Sequence, residues 1–504
     1  MKFGRIKIVS LAIVLTSSFG AVAASDDFEA YKRQQMEGVQ QVKTEFREFK
    51  EKQDREFADF LKSQWSEFKT SQGVVRIKEP KPKQIPVVAP SAPVVVPSVT
   101  PGAPVVTPKP VPVVVAPILA PVTPPPPPAQ PKPLSVAADE VELQFYGNSV
   151  KFVFDPLWKS YRLTGGAKPE TISDFWATMS GTKYEPTIQA VNAAKRELKL
   201  DDWAYVTLWR DVVRALQPER KTEQNLLLWY FLTKSGYDVR LGYYESNVYL
   251  FVAMKQQVYA TKFTKVNNQT YYAALDADHG NNIRAFYSYQ SNYPTKLNAL
   301  DISRANVGFT KVASVQRALA FDYKGKTVKF SVPYDRRLVD YMGTIPQSEF
   351  ELYFDTAGSS LVRQGLLAEL RKYTATMNQD EAVNFLLTFV QKAFAYKTDE
   401  EQFGYEKYFF VEESLHFPYN DCEDRSVIFA WLVHELVGAK VVGLLYPGHM
   451  TTAVALKQVN ADYATVDYQG QRFVIADPTY IGASVGMAMP SYAKYKPKRV
   501  VEMQ

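Results

Sequence analysis

Cys422 is the only cysteine in the 504-residue chain. It lies in His416-Phe-Pro-Tyr-Asn-Asp-Cys-Glu-Asp-Arg-Ser426, directly before the apolar run 427–437. That run is long enough for a buried helix. Asp421 stands where an N-cap belongs, with an acid, Asp424, three places on. Cys422 is therefore expected to open a buried helix. There the helix dipole and free backbone N–H groups favour a thiolate and can receive an oxyanion. A solitary buried cysteine is most often a small core hydrophobe, but two downstream residues change that weighting. His449 follows Tyr446-Pro-Gly448 and opens a strand-like run through Ala455. Asp477 closes a second strand-like run, Phe473 to Asp477, before Pro478 ends the ladder. A thiol at a helix start, an imidazole at a strand start and a carboxylate at a strand end supply the parts of nucleophilic acyl transfer. The helix start and a histidine can lower a thiol from about 8.5 to roughly 3.5–7.5. Asp421, Glu423 and Asp424 push the other way; capping and salt bridges, for instance with Arg425, are their expected roles.

The other histidines fit the chemistry less well. His434 is 12 residues beyond Cys422 on the same helix, about 18 Å along its axis, and reads as a packed or helix-end residue. His416 sits in a loop close to the thiol and is a weak candidate base. His279 belongs to Asp276-Ala-Asp-His-Gly280, whose glycine comes one place too early for an EF-hand. A polar turn is expected there, with no metal site and no cofactor anywhere.

An internal repeat frames these residues. Gly147, Val150, Lys151 and Phe152 recur as Gly325, Val328, Lys329 and Phe330, each set in a hairpin-like pattern. At the same offset of 178, Asp202, Ala204, Leu208, Val212 and Ala215 match Asp380, Ala382, Leu386, Val390 and Ala393, one apolar helical face. The offset then becomes 202, pairing Trp229, Gly236, Val239 and Tyr244 with Trp431, Gly438, Val441 and Tyr446. The 24 added residues fall within 396–420, just ahead of Cys422. In the first copy Arg220, or Lys221 and Thr222 beside it, faces Cys422, and Asn247 faces His449, so that copy is expected to be structural or substrate-holding.

Before the repeat, residues 1–23 read as a secretory signal: Lys2, Arg5 and Lys7, an apolar stretch, then small residues at the cleavage site. Residues 24–75 read as a charged amphipathic region, with one helix over 25–72. Its aromatic residues step by 11, from Phe46 to Phe57 to Phe68, a spacing suited to a partner helix and hence to oligomerisation. Residues 76–136 read as a linker. Between Pro80 and Pro133 lie 20 of the chain's 32 prolines, as in a polyproline II spacer. The net charge of +6 is small for this length and argues against nucleic acid as a partner. No apolar run is long enough for a transmembrane span. An exported chain with one cysteine forms no internal disulfide.

The run Asp421-Cys-Glu-Asp-Arg425, with Pro447-Gly-His449 and Ala476-Asp-Pro-Thr-Tyr480, resembles the transglutaminase-like cysteine hydrolase superfamily, a branch of the papain-like fold. The separations of 27 and 28 residues keep its order Cys, His, Asp. The resemblance implies an α+β fold of two tandem transglutaminase-like (papain-like) units, 137–300 degenerate and 301–504 catalytic, preceded by a long helix and a polyproline linker. It implies Cys422 as nucleophile, His449 as base and then acid, and Asp477 as the residue that orients it. It also implies an oxyanion donor upstream, with Tyr396, Gln402 and Tyr408 as candidates, and a substrate groove at Tyr446 and Gly448. The implied activity is that of a cysteine peptidase or amidase, with transfer as a variant. Phe57, Phe60 and Gln64-Trp65-x-x-Phe68 resemble the helical N-terminal region of the membrane-bound lytic murein transglycosylase C family. The combined expectation is an exported, periplasmic or cell-envelope enzyme acting on a periplasmic protein or peptidoglycan peptide. The rival expectation is a non-catalytic cell-wall or peptide-binding scaffold.

Overall fold

The structure, a computed structural model, describes residues 26–74, 81–88, 135–137, 140–275 and 283–503. The signal-like segment, most of the proline-rich stretch and the Asp276–Gly280 turn with His279 lie outside the described residues. The chain divides into two units, Met1–Glu56 and Phe57–Gln504. In the smaller unit the described residues are helical and carry i,i+4 ion pairs such as Arg47–Glu51 and Lys52–Glu56. Val39, Val42, Phe46 and Phe49 are exposed along it.

The helix ends at Leu61, well short of the expected residue 72. Trp65 Nε1 donates to the Leu61 carbonyl at 2.5 Å, satisfying one of the helix's last free acceptors. The chain then becomes strand β1, Trp65–Lys69. The edge of β9 supplies β1 with antiparallel backbone partners over Trp65–Lys69, and this outweighs continuation of the helical pattern. Phe57 is buried against Trp176, Tyr289 and Tyr293 at ring distances of 4.8, 5.8 and 5.3 Å. The period of 11 therefore reflects packing into a core at Phe57 and onto a sheet at Phe68, not one continuous helical stripe.

The larger unit is α+β. Strands β2 (Ser135–Ala137), β3 (Glu140–Phe145) and β4 (Asn148–Val153) form a small sheet. Helices follow, ending with Asp202–Leu216 and Lys221–Lys234. Then come β5 (Val239–Tyr244), β6 (Asn247–Ala253), β7 (Phe263–Val266), β8 (Gln269–Tyr272) and β9 (Ala285–Tyr289). The second half opens with the hairpin β10 (Ser314–Tyr323) and β11 (Lys326–Asp335). After several helices come Gln379–Ala393 and Cys422–Val437. The strands β12 (Val441–Tyr446), β13 (His449–Val454), β14 (Thr465–Tyr468), β15 (Gln471–Ala476) and β16 (Arg499–Glu502) complete it.

The two larger sheets carry the same strand order. One runs β9-β5-β6-β8-β7, with β1 added beyond β9; the other runs β16-β12-β13-β15-β14. The opening hairpins also agree. Tyr146-Gly147 and Lys324-Gly325 each take positive φ at both central residues, the turn that matches strand twist. In each half the second long helix is buried nearly throughout and lies against the central strands. It has little amphipathic character because it is covered on all sides.

Candidate active site

Cys422 is the first residue of its helix, as the sequence predicts. Asp424 completes half of the capping box, accepting from the Asp421 N–H at 3.1 Å and from Phe409 N–H at 2.9 Å. Asp421 occupies the N-cap position but does not cap the helix with its side chain. Its Oδ2 is instead 2.6 Å from the Lys81 ammonium. His449 is the first residue of β13, and Asp477 follows the last residue of β15. His449 Nε2 and Asp477 Oδ2 are 3.0 Å apart, and both side chains are buried. Asp477 Oδ1 accepts from the N–H groups of Thr479 and Tyr480 at 2.9 and 3.2 Å, which fixes the carboxylate. His449 Nδ1 is left buried without a hydrogen-bond partner.

Two side chains near the start of the helix draw these elements together. Ser426 Oγ donates to the Cys422 carbonyl at 2.7 Å and reaches the Met450 carbonyl at 3.4 Å, beside His449. Arg425 donates to the Phe394 carbonyl at 2.5 Å and the Pro478 carbonyl at 3.4 Å, beside Asp477. Arg425 is thus spent on backbone carbonyls and on the face of Tyr396, 5.5 Å away. This corrects its expected pairing with the flanking acids. Burial lowers it to about 10.

The thiol itself points to an acid. Cys422 Sγ donates to Glu423 Oε2 at 2.9 Å. Burial, then Glu423 and Asp421, push the thiol well above its ordinary value. Burial and Asp421 likewise push Glu423 up to about 8. The cation that meets these acids is Lys81, from the stretch read as linker. Its Nζ lies 2.6 Å from Asp421, 2.7 Å from Glu406, 3.0 Å from Glu423 and 3.4 Å from Asp399. Burial works to lower Lys81, but Asp421, Glu423 and Asp399 override it and hold the ammonium well above its usual range. The linker expectation is corrected accordingly: residues 81–88 belong to the fold of the larger unit. Sequence reasoning missed Lys81. The available signal was a surplus of acids around a buried cysteine, since buried carboxylates demand a counter-charge.

Of the oxyanion candidates, Tyr396 is at the site. Burial, then the negative charges of Cys422, Asp421 and Glu423, raise its phenol, which donates to the Pro82 carbonyl at 2.7 Å. Gln402 lies on the Asp399–Phe403 helix, its Oε1 buried without a partner. Tyr408 packs between Phe350 and Tyr353 at 4.7 and 5.5 Å, with Lys81 Nζ 6.0 Å from its ring. Tyr446 lines a cavity of about 480 Å³ together with His449, Asp477, Met489 and Tyr492. The Tyr492 ring stacks on His449 at 4.8 Å. Gly448 sits in the Tyr446–His449 turn with φ +65, where a side chain would be strained. His416 is elsewhere: its Nδ1 meets Tyr334 at 3.0 Å, and burial and Arg336 lower it to about 4. His434 is exposed in the helix's last turn.

Asp421, Cys422 and Glu423 could offer three ligand atoms to a metal, as could Asp399, Asp421 and Asp424. The Lys81 ammonium already supplies positive charge to that cluster. Comparison with protein-family models, with characterised proteins and with solved structures found no match. Among the described residues no helix is long and apolar enough to cross a membrane.

Proposed function

We propose that the second half is a cysteine peptidase or amidase of the transglutaminase-like, papain-like kind, and that the first half is a degenerate copy of it. The observation that carries this reading is the buried His449–Asp477 pair, which leaves Nδ1 unpaired at the start of a strand that the Cys422 helix meets through Ser426 and the Met450 carbonyl. In the reaction His449 Nδ1 takes the thiol proton while Sγ attacks the substrate carbonyl carbon. The Cys422 N–H and Tyr396 hydroxyl receive the developing oxyanion. The C–N bond breaks as His449 returns the proton to the departing amine, leaving a thioester on Cys422. Water then gives a proton to His449, attacks the thioester carbon and releases the acid, and the proton returns to sulfur. Replacing the water by an amine makes the same step a transfer. The signal-like N-terminus supports export, with a periplasmic protein or peptidoglycan peptide as substrate.

The test is a small activated acyl ester and the intact mass of the protein. One acyl group should appear on Cys422 in the wild type and none in Cys422→Ala, with acylation lost in His449→Ala. Equal ester cleavage by Cys422→Ala and wild type would overturn the reading. One observation favours a second reading, a non-catalytic peptide-binding scaffold: the thiol bonds to Glu423 and not to His449. On that reading the protein retains peptide on a column and forms no acyl adduct with any ester.

A further inference from the structure

Residues 81–88 cross the candidate site and are held at two separate places. At one end Lys81 is buried, with its ammonium among Asp399, Glu406, Asp421 and Glu423. It shares Glu423 Oε2 with the Cys422 thiol. At the other end the backbone joins the chain just beyond Asp477. Val88 N–H donates to the Ile481 carbonyl at 2.9 Å, and Ile481 N–H donates to the Pro86 carbonyl at 3.0 Å. Val87 and Ile481 form a parallel bridge. Between these ends the Pro82 carbonyl takes the Tyr396 hydroxyl. The segment thus runs from the residues beside the nucleophile to the residues beside the orienting acid. Backbone hydrogen bonds at one end, to an isolated bridge residue outside the named strands, and one side-chain pocket at the other are the means by which an extended peptide is held, the first for affinity and the second for selectivity. Lys81 is the only fully buried residue in the segment; Lys83, Gln84 and Val87 face solvent.

The pocket also holds polar groups that the segment leaves unmatched. Asp421 Oδ1, Glu423 Oε1 and both amide atoms of Asn420 are buried without a hydrogen-bond partner. A buried amide so placed is costly unless something pairs with it. A ligand richer in polar groups than a lysine flanked by proline would satisfy more of them.

We propose that residues 81–88 occupy the substrate cleft as an internal ligand, and that the pocket of Asp399, Glu406, Asp421 and Glu423 selects peptides bearing a side-chain primary ammonium. The external substrate carries a lysine or another diamino acid at this position and competes with Lys81 for it. While the internal segment is seated, Cys422 is covered. The meaning of this for catalysis rests on the proposed function, but the binding itself needs no turnover.

The experiment is the alkylation rate of Cys422 in the folded, full-length protein. Lys81→Gln should label roughly tenfold faster than wild type or more, because protection here reflects a local opening equilibrium, and Lys81→Arg should stay close to wild type. A free octapeptide, Lys-Pro-Lys-Gln-Ile-Pro-Val-Val, should restore protection to Lys81→Gln, whereas the same peptide with its first lysine replaced by glutamine should not. Should Lys81→Gln fail to fold, Val88→Pro serves in its place, since it removes only the backbone donor at the exposed end. It should label faster than wild type and be protected again by the lysine octapeptide. Wild-type labelling rates in whichever of these variants folds, or equal protection by the two peptides, would overturn the proposal. An inert protein with this pocket still shows the full protection series. An active enzyme without it acylates Cys422 with no dependence on lysine, so the two failures are separable.

Discussion

The two halves of the larger unit carry the same strand order, the same opening hairpin turn and the same buried helix, yet one holds a candidate site and the other does not. Even the tie between helix and strand is repeated. Asn225 Nδ2, one residue beyond the place equivalent to Ser426, donates to the Val248 carbonyl at 2.8 Å, and Val248 is the equivalent of Met450, whose carbonyl Ser426 reaches. What differs is the approach to the helix. In the first half residues 217–220 join the two long helices, and Arg220 stands exposed at the helix start. In the second, residues 394–421 intervene and bring Asp399, Glu406 and Tyr396 to the thiol. At the places of His449 and Asp477 the first half has Asn247, exposed, and Leu275, buried. The scaffold by itself supplies a helix start facing a strand start. The inserted loop supplies the charges, the burial and the internal ligand's pocket.

The largest effect expected from this contrast is on the proposed acyl transfer. Cys422→Ala should lower kcat/KM by roughly 10⁴-fold or more, while Arg220→Ala, at the equivalent place, leaves it unchanged. Comparable losses from both would dissolve the distinction between the halves. Asp477→Asn should cost up to about 10⁴-fold in kcat by freeing the tautomer of His449, with little change in KM.

Stability gives the next contrast. Lys81→Met leaves four carboxylates facing one another and should cost about 3–5 kcal/mol, read by urea unfolding of the full chain. Among the described residues the first half has no corresponding cluster, so a loss well below 1 kcal/mol would mean that the acids are satisfied without the lysine.

The smallest effect is a pH slope. Glu423 moves from 4.5 to about 8 on folding. Between those values the folded state holds a proton that the unfolded chain has released, so its contribution to stability falls as pH rises. His416 moves from 6.5 to about 4 and acts in the opposite sense, but only below 6.5. From pH 6.5 to 8 the wild type should therefore lose about 2 kcal/mol more than Glu423→Gln. Parallel curves for the two proteins would refute the Glu423 assignment.

Much of the site was legible because its residues sit at element boundaries that local chemistry announces. Asp421 and Asp424 mark a helix start, Pro447-Gly448 marks a turn, and Pro478 closes a strand. The end of the N-terminal helix was not legible. Trp65, Glu67 and Phe68 fit a helical stripe as well as a strand, and only the edge of β9 decides between them. Lys81 was hidden for a different reason. Lys-Pro-Lys-Gln-Ile-Pro has the composition of the spacer around it, and its partner Asp421 is 340 residues away. Nothing local separates a proline-rich stretch that docks from one that does not.

The turn Tyr446-Pro-Gly-His449 has a consequence of its own. Tyr446 and His449 are a cross-strand pair, and every later pair of β12 and β13 follows from that register. Side chains alternate faces along a strand, so one residue more or less in this turn would send the imidazole to the opposite side of the sheet. The orientation of the imidazole is therefore a matter of parity, kept by a two-residue connection with a left-handed glycine. A lesion there would mimic removal of the imidazole without altering His449 itself.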